Sequence, residues 1–340
     1  MTTAIVILNW NGVRFLQQFL PILIQNTMLP ETEIIVADNG STDLSLSILK
    51  ENFPTIRVIE LYKNYGFAGG YNKALAQVEA DFYVLLNSDV EVTPNWIQPL
   101  ISFMTENKNV AACQPKILSY LQPTHFEHAG AAGGFIDKFG FPFCRGRILG
   151  TVEMDNCQYD SVADIFWATG ACLVVRSDIF WKVGGLDDAF FAHMEEIDLC
   201  WRFKSRGYRV VCLPESVVFH IGGGTLNVEN PHKTYLNFRN NLLMLYKNLP
   251  TNILKSTMRW RLVFDYLAAF QLFITGKPKN ARSVFKARAD FKKMQSDFES
   301  KRNENILYAT CDNVTDILQK SIVLDYFLKY RKTYDKIIAD

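Results

Sequence analysis

The first third of the chain alternates short, unbroken apolar runs with amphipathic stretches, and that alternation leaves few folds open. Residues 3–8 are apolar throughout, as in a strand covered on both faces. Leu16, Phe19, Leu20 and Leu23 then recur at the i, i+3, i+4, i+7 spacing of a helix, with Pro21 predicting a slight bend. Strands are predicted at 33–37, 56–61, 82–86 and 110–113, and helices at 44–51 and 68–78. Thr93-Pro94 predicts a further helix start, with proline at the first helical position. This βαβα order implies a mostly parallel sheet with helices on both faces.

The rhythm is lost over 115–165, where Gly130, Gly133, Gly134, Gly140, Gly146 and Gly150 predict turns, hairpins and loops. It returns with a strand at 171–175, a helix at 177–183, a helix at 195–205 stopped by Gly207, and strands at 208–213 and 217–219. From 231 the pattern is helical: 235–249, a long apolar 253–275, a basic 277–302 and a last element at 312–338. The expected division is an α/β region over 1–230 and a helical region over 231–340.

Composition narrows the function. A net charge of +1 argues against an electrostatic nucleic-acid binder. Seven scattered cysteines without a C-x-x-C pair argue against a zinc ribbon or a disulfide framework and fit a reducing compartment. The N-terminus lacks a signal-peptide layout, and the greasiest late stretch, 262–274, contains Asp265 and Gln271 and is shorter than the roughly 20 residues of a membrane span. The expectation is a cytoplasmic protein without a transmembrane helix.

In an open parallel sheet, ligands bind beyond the carboxyl ends of the strands. Here those ends carry Asn9 and Asn11, then Asp38, Asn64, and Asn87 with Asp89. Neither a Gly-rich dinucleotide fingerprint nor a Gly-Lys-Ser/Thr phosphate loop is present. Asp38 suits a ribose or a base, or simply a turn. Asn87 and Asp89, two apart, suit a hard cation such as Mg²⁺ or Mn²⁺, or a helix start. Glu195, Glu196 and Asp198 crowd one helical turn, where the helix dipole also favours them. His220 ends an apolar strand before three glycines and reads as a structural histidine, a metal ligand or a diphosphate contact. The cations Arg202, Lys204, Arg206 and Arg209 read as a solvated face.

The order of these pieces resembles the family 2 glycosyltransferases of the GT-A fold, within them the rhamnosyltransferase-like bacterial enzymes, over about residues 3–248. The likeness rests on Ile5-Val6-Ile7-Leu8-Asn9-Trp10-Asn11-Gly12, Val36-Ala37-Asp38-Asn39-Gly40-Ser41-Thr42-Asp43, Asn64 through Asn72, Leu85-Leu86-Asn87-Ser88-Asp89, Ala168-Thr169-Gly170-Ala171, Glu195 through Arg202, and Pro214 through His220. It implies that Asp38, Asn9, Asn11, Asn64, Asn72, Asn87 and Arg202 bind a nucleotide-diphospho-sugar. Asp89 and His220 would hold a divalent cation, Mg²⁺ or Mn²⁺. Glu196, with Glu195 beside it, would be the catalytic base. Trp167, Thr169, Gly170 and Asp198 would border the sugar or acceptor.

Two positions depart from the family pattern: Asn87 replaces the first acid of the D-x-D motif, and Glu196 stands where aspartate is usual. The implied reaction is inverting, metal-dependent sugar transfer to an acceptor hydroxyl in cell-surface polysaccharide synthesis, with a lipid-linked or glycan acceptor and a donor such as dTDP-rhamnose. A nucleotidyltransferase or a non-catalytic sugar-nucleotide or glycan-binding module are the alternatives. The loops at 115–165 and 222–225 would close over the donor. The apolar and basic helices over 251–302 would touch an anionic membrane, on its inner face, or pack on the catalytic domain or on a second subunit.

Overall fold

A computed structural model describes residues 1–222, 230–310 and 316–339. Its strands are β1 (Thr3–Asn9), β2 (Thr32–Asp38), β3 (Arg57–Glu60), β4 (Phe82–Asn87), β5 (Val90–Val92), β6 (Val110–Ser119), β7 (Gly134–Asp137), β8 (Pro142–Cys144), β9 (Arg147–Ile148), β10 (Thr151–Val152), β11 (Ala163–Asp164), β12 (Cys172–Arg176), β13 (Arg209–His220) and β14 (Ile317–Leu318). The helices are α1 (Val13–Asn26), α2 (Ser45–Asn52), α3 (Gly66–Leu75), α4 (Ile97–Glu106), α5 (Ser177–Lys182), α6 (Glu195–Ser205), α7 (Pro231–Asn248), α8 (Thr251–Ile274), α9 (Pro278–Met294), α10 (Glu299–Leu307), α11 (Ile322–Leu328) and α12 (Tyr334–Ile338).

Nine strands form the main sheet in the order β11-β13-β6-β12-β4-β1-β2-β3, with β5 beside β13. The pairs β2–β3, β1–β2, β1–β4 and β6–β13 are parallel, and β12 runs against both its neighbours. The apolar runs explain this centre. Ile5, Val6, Ile35, Val36, Val84 and Leu85 are fully buried, with successive residues feeding the cores on opposite faces of the sheet.

The structure departs from expectation in several places. Residues 93–96 are not helical, because Thr93 Oγ1 donates to the Val217 carbonyl and Asn95 adopts φ +60°, so α4 starts at Ile97. The strands predicted at 208–213 and 217–219 are one strand, β13, whose register shifts between Leu213 and Val217. Pro214 lies within that shift and has no N–H to donate to a ladder. The Gly-rich stretch folds into a second sheet, β10-β9-β8-β7-β14. Its last strand comes from the segment predicted as a terminal helix, where Asp137 Oδ2 accepts from the Ile322 amide and holds the chain end in place.

The C-terminal helices extend the main core. Leu242, Leu243, Met244 and Leu245 of α7, Phe291 of α9 and Phe298 belong to the same apolar cluster as the sheet. The basic stretch predicted as one helix is broken by a 3-10 turn at Ser296–Phe298, which separates α9 from α10.

Candidate active site

The register of the sheet assembles one polar edge. Asn9 stands opposite Asp38, and Leu8 opposite Asn87, so the ends of β1, β2 and β4 are level. Antiparallel β12 brings its own start to the same edge, where the Asn87 amide donates to the Ala171 carbonyl at 3.0 Å. Asn9 is fully buried; its Nδ2 donates to Asp38 Oδ2 and to Ser41 Oγ, both at 3.2 Å. Its Oδ1 has no partner and lies under Gly12, where a Cβ would come within 2.4 Å of it. An orphaned buried acceptor is costly unless something supplies it with a donor. Asn11 adopts φ +52° and accepts from the Thr42 amide at 2.7 Å, which ties the loop after β1 to the loop after β2. Asn64 Oδ1 accepts from the Gly66 amide at 2.8 Å, and Asn39 links Asn64, Tyr65 and Gly66.

Asp89 and His220, 131 residues apart, meet at this edge. Antiparallel pairing of β5 with β13 sets His220 opposite Val90, and His220 Nε2 lies 3.1 Å from Asp89 Oδ1. On the other side of the ring, Nδ1 lies 3.4 Å from Glu127 Oε2. Burial alone would lower the His220 pKa, but Asp89 and Glu127 outweigh it and push it up to about 10. Glu127 was not foreseen: it lies in the irregular 115–165 stretch, and its signal was one acidic residue in Phe126-Glu127-His128. Nδ1 makes no hydrogen bond, so Glu127 acts on the ring through its charge. Among the described residues no group of three or more His, Cys, Asp or Glu is arranged to hold an ion. A cation beside Asp89 and His220 would need further oxygens from a bound molecule. The glycine loop expected to close over the site lies, from Gly223 to Thr225, outside the described residues.

The segment before α6 is the most strained of the site. Phe191, His193 and Met194 all have φ between +66° and +75°, a region that costs a non-glycine residue energy. It is held from α7: Asn240 Nδ2 lies within 2.7–2.9 Å of the carbonyls of Phe190, Ala192 and His193, and Arg239 donates to those of Ala189 and Phe190. It is also held from α3, whose Phe67 and Ala68 amides donate to the Phe191 carbonyl. Gly66 there leaves no room for a Cβ, which would sit 2.5 Å from Phe191.

The strained loop delivers Glu195 and Glu196 to the first turn of α6. Oε2 of each is out of solvent and without a partner. Burial pushes Glu196 up to about 7, with the amides of Glu196, Ile197 and Met194 pulling the other way. Burial and the neighbouring Glu196 and Asp198 hold Glu195 well above the carboxylate range. His193 is kept neutral: burial and the nearby Lys233 and His232 lower its pKa to about 4, and its buried Nε2 has no partner. It too was missed, although it lies two residues ahead of the recognised acids.

Four expected roles do not match the placement found. Arg202, expected at the donor, is buried in the body, paired with Asp198 at 2.8 Å and donating to the Val183 carbonyl. Asp198, expected at the acceptor, is fully buried and shared among Arg202, Lys247 and Asn248. Asn72, expected at the nucleotide, spends its amide on the 186–188 turn, donating to the Leu186 carbonyl and Asp188 and accepting from the Leu186 amide. Trp167 is buried flat against Gly134, where a Cβ would come within 2.1 Å of the indole, and its Nε1 donates to the Phe135 carbonyl. In each case the polar groups are taken by other parts of the protein, within α6 for the Asp198–Arg202 pair and 19 to 116 residues away for the rest. Thr169 is buried on Gly130, and Gly170 lies against Phe67 of α3, whose amide donates to the Phe191 carbonyl. Lys204, read as part of a solvated face, is buried instead and donates to the Ile165 carbonyl.

The family model for Glycosyl transferase family 2 matches residues 4–184, more than half of the chain. The chain belongs to that family. It is a glycosyltransferase, with the α/β architecture of the GT-A fold. It is 26% identical over 219 residues to the N-acetylglucosaminyl-diphospho-decaprenol L-rhamnosyltransferase of Mycobacterium tuberculosis, a match covering 60% of this chain and 71% of that one. Among solved structures it resembles Staphylococcus aureus TarS 1–349 in complex with UDP-GlcNAc, with a TM-score of 0.57 at 14% identity, covering 91% of this chain and 89% of that one. It also resembles the mannosyltransferase PcManGT of Pyrobaculum calidifontis in complex with GDP-Man and Mn²⁺, with a TM-score of 0.52 at 12% identity, covering 91% and 86%.

Proposed function

We propose that this glycosyltransferase moves a hexose or deoxyhexose from a nucleotide-diphospho-sugar to an acceptor hydroxyl with inversion, using Glu196 as the base. The observation that carries this reading is the Glu196 carboxyl, unpartnered at Oε2 and raised to about 7 at the head of α6. A base with a pKa near the working pH combines a useful ionised fraction with enough basicity to accept a proton. Glu196 takes the acceptor hydroxyl proton as that oxygen bonds to the anomeric carbon. The bond from that carbon to the diphosphate breaks in the same displacement, the configuration inverts, and a nucleoside diphosphate leaves.

Asp38, Asn9, Asn11 and Asn64 order the edge on which the nucleotide would lie, and the unpartnered Asn9 Oδ1 is free to accept a donor there. Asp89 would hold Mg²⁺ or Mn²⁺ together with His220, whose ring would give up its Nε2 proton on binding the cation. Such a cation supplies positive charge against the diphosphate leaving group when bound. Thr169 and Gly170 border the sugar side.

The rhamnosyltransferase relative is named for a diphospho-decaprenol acceptor. That favours a dTDP-deoxyhexose donor and a lipid-linked acceptor, in cell-surface polysaccharide synthesis at the inner face of a membrane. A thermal-shift screen of nucleotide sugars with and without Mn²⁺ tests the reading, because a ligand of the folded state raises Tm by mass action. The expected result is a cation-dependent shift with one nucleotide class and release of the nucleoside diphosphate when acceptor is added. No shift with any donor and no release would overturn it.

A further inference from the structure

The outer side of α8 is apolar where a surface helix is normally polar. Trp260, Val263, Leu267, Phe270 and Ile274 follow one another at steps of three and four residues and are 48–63% exposed. The opposite side is buried too: Phe264 packs on Phe139 and Phe141, and Arg261 and Asp265 form an interior pair. A helix apolar on both sides belongs in an interior, yet only one side of α8 is covered.

The adjoining α9 supplies charge beside this strip. Its Phe285 is 53% exposed and meets Tyr266 of α8 at 5.5 Å between ring centres. Lys279 and Arg282 are exposed at the i−6 and i−3 positions from Phe285, on the same side of α9. Residues 251–294 contain ten Lys and Arg against two Asp, in a chain whose net charge is +1. Both aspartates are already engaged, Asp265 by Arg261 and Arg288, and Asp290 by Lys286.

We infer that α8 and α9 form a docking surface for an anionic lipid bilayer, with α8 lying in the plane of the interface. Exposed aromatic and aliphatic side chains enter the headgroup boundary, and the α9 cations meet the lipid phosphates. Among the described residues no helix is long and apolar enough to cross a membrane, and the Arg261–Asp265 pair turns inward, so the helix lies on the surface. Charge argues against a second copy of the chain as the occupant: a two-fold contact through α8 would bring two cationic α9 helices together with no acidic stripe on these elements to meet them. The surface is read from these residues alone. Its use, bringing the strand-end site to a lipid-linked acceptor, rests on the proposed function.

Flotation of the full chain with phosphatidylcholine vesicles, with and without phosphatidylglycerol, at low and high salt, tests the surface. The protein should float with the anionic vesicles at low salt, and salt should weaken the association. Leu267→Ser combined with Phe270→Ser should reduce binding roughly tenfold or more, and Lys279→Glu combined with Arg282→Glu should do the same. Both variants should keep the wild-type Tm and, with a water-soluble acceptor, the wild-type transfer rate. Transfer that is absent in wild type and variants alike would count against the proposed function and leave the surface standing. The inference is overturned if the protein stays soluble with both vesicle types. It is also overturned if sedimentation shows a dimer that the Leu267→Ser, Phe270→Ser variant dissociates.

Discussion

The first turn of α6 treats its acids in opposite ways. Glu195 is buried and Glu196 half-buried, each with Oε2 out of solvent and without a partner, and their pKa values are raised. In the same turn Asp198 is fully buried but accepts from Arg202, Lys247 and Asn248. The same network continues to Asp187, which Lys247 and Lys301 hold below the usual carboxylate range against the push of burial. A buried carboxylate with cations in contact locks elements together, here α6 to α7 and α10. One left without them costs stability and persists where chemistry uses it. The strained 191–194 loop leads directly into the unpaired acids, which fits strain being kept where geometry must be set.

Substituting the unpaired acids should give the largest effect on turnover. Glu196→Gln keeps shape and polarity but cannot take the proton, so turnover should fall by roughly 10²- to 10⁴-fold, with donor affinity by calorimetry nearly unchanged. Glu195→Gln should cost much less. A dead Glu195→Gln beside an active Glu196→Gln would move the base by one residue.

At the paired acid the effect should be on folding. Asp198→Ala leaves Arg202 buried without its carboxylate and Lys247 with Asp187 alone, and the expected loss is about 3–5 kcal/mol in denaturant unfolding. Normal stability with abolished transfer would break the comparison and return Asp198 to the acceptor side.

A third comparison sets Asp89 against Glu127 across His220. Asp89→Ala should abolish the cation dependence of donor binding. Glu127→Gln, which removes the charge beside the ring without removing a proposed ligand, should weaken it by roughly 10- to 100-fold. Asn87→Ala should do least, since an amide oxygen is a poorer ligand than a carboxylate. Mn²⁺ titrations with donor present would rank the three.

The smallest effects lie in pH dependence. With the base at about 7, kcat/KM should fall as pH drops below that value and Glu196 takes up a proton. Stability should run the other way. A carboxyl whose folded pKa exceeds its unfolded value keeps a proton in the native state that the unfolded chain has lost. The fold therefore weakens as pH rises from about 4.5 through 7. Glu195→Gln should raise Tm at pH 8 and change little at pH 4. A Tm gain that is the same at both values would show that the cost of Glu195 is not its charge.

Much of the scaffold was legible because its signals are local. The unbroken runs at 3–8 and 82–86 could only be strands covered on both faces, and the helix-spaced Leu16, Phe19, Leu20 and Leu23 proved to be the buried stripe of α1. The motif order from Asn9 to His220 named the family that the comparison then showed. The two residues of β14 were beyond reading, because a strand that short exists only through its partner β7.

For the site, sequence alone determined that acids and amides stand at strand ends and at one helix start, since residue type and element are both local properties. Tertiary structure decided which of them remain available. Glu196 and Asp198 are both acids of one turn, but Asp198 has Arg202 at i+4 within α6, and Lys247 and Asn248, some 50 residues away, complete its pairing. Likewise His220 finds Glu127 through the second-sheet region, and Asn240 grips the 190–193 carbonyls across about 50 residues. Whether a buried charge is paired depends on which distant chain folds against it, and no local pattern records that distance.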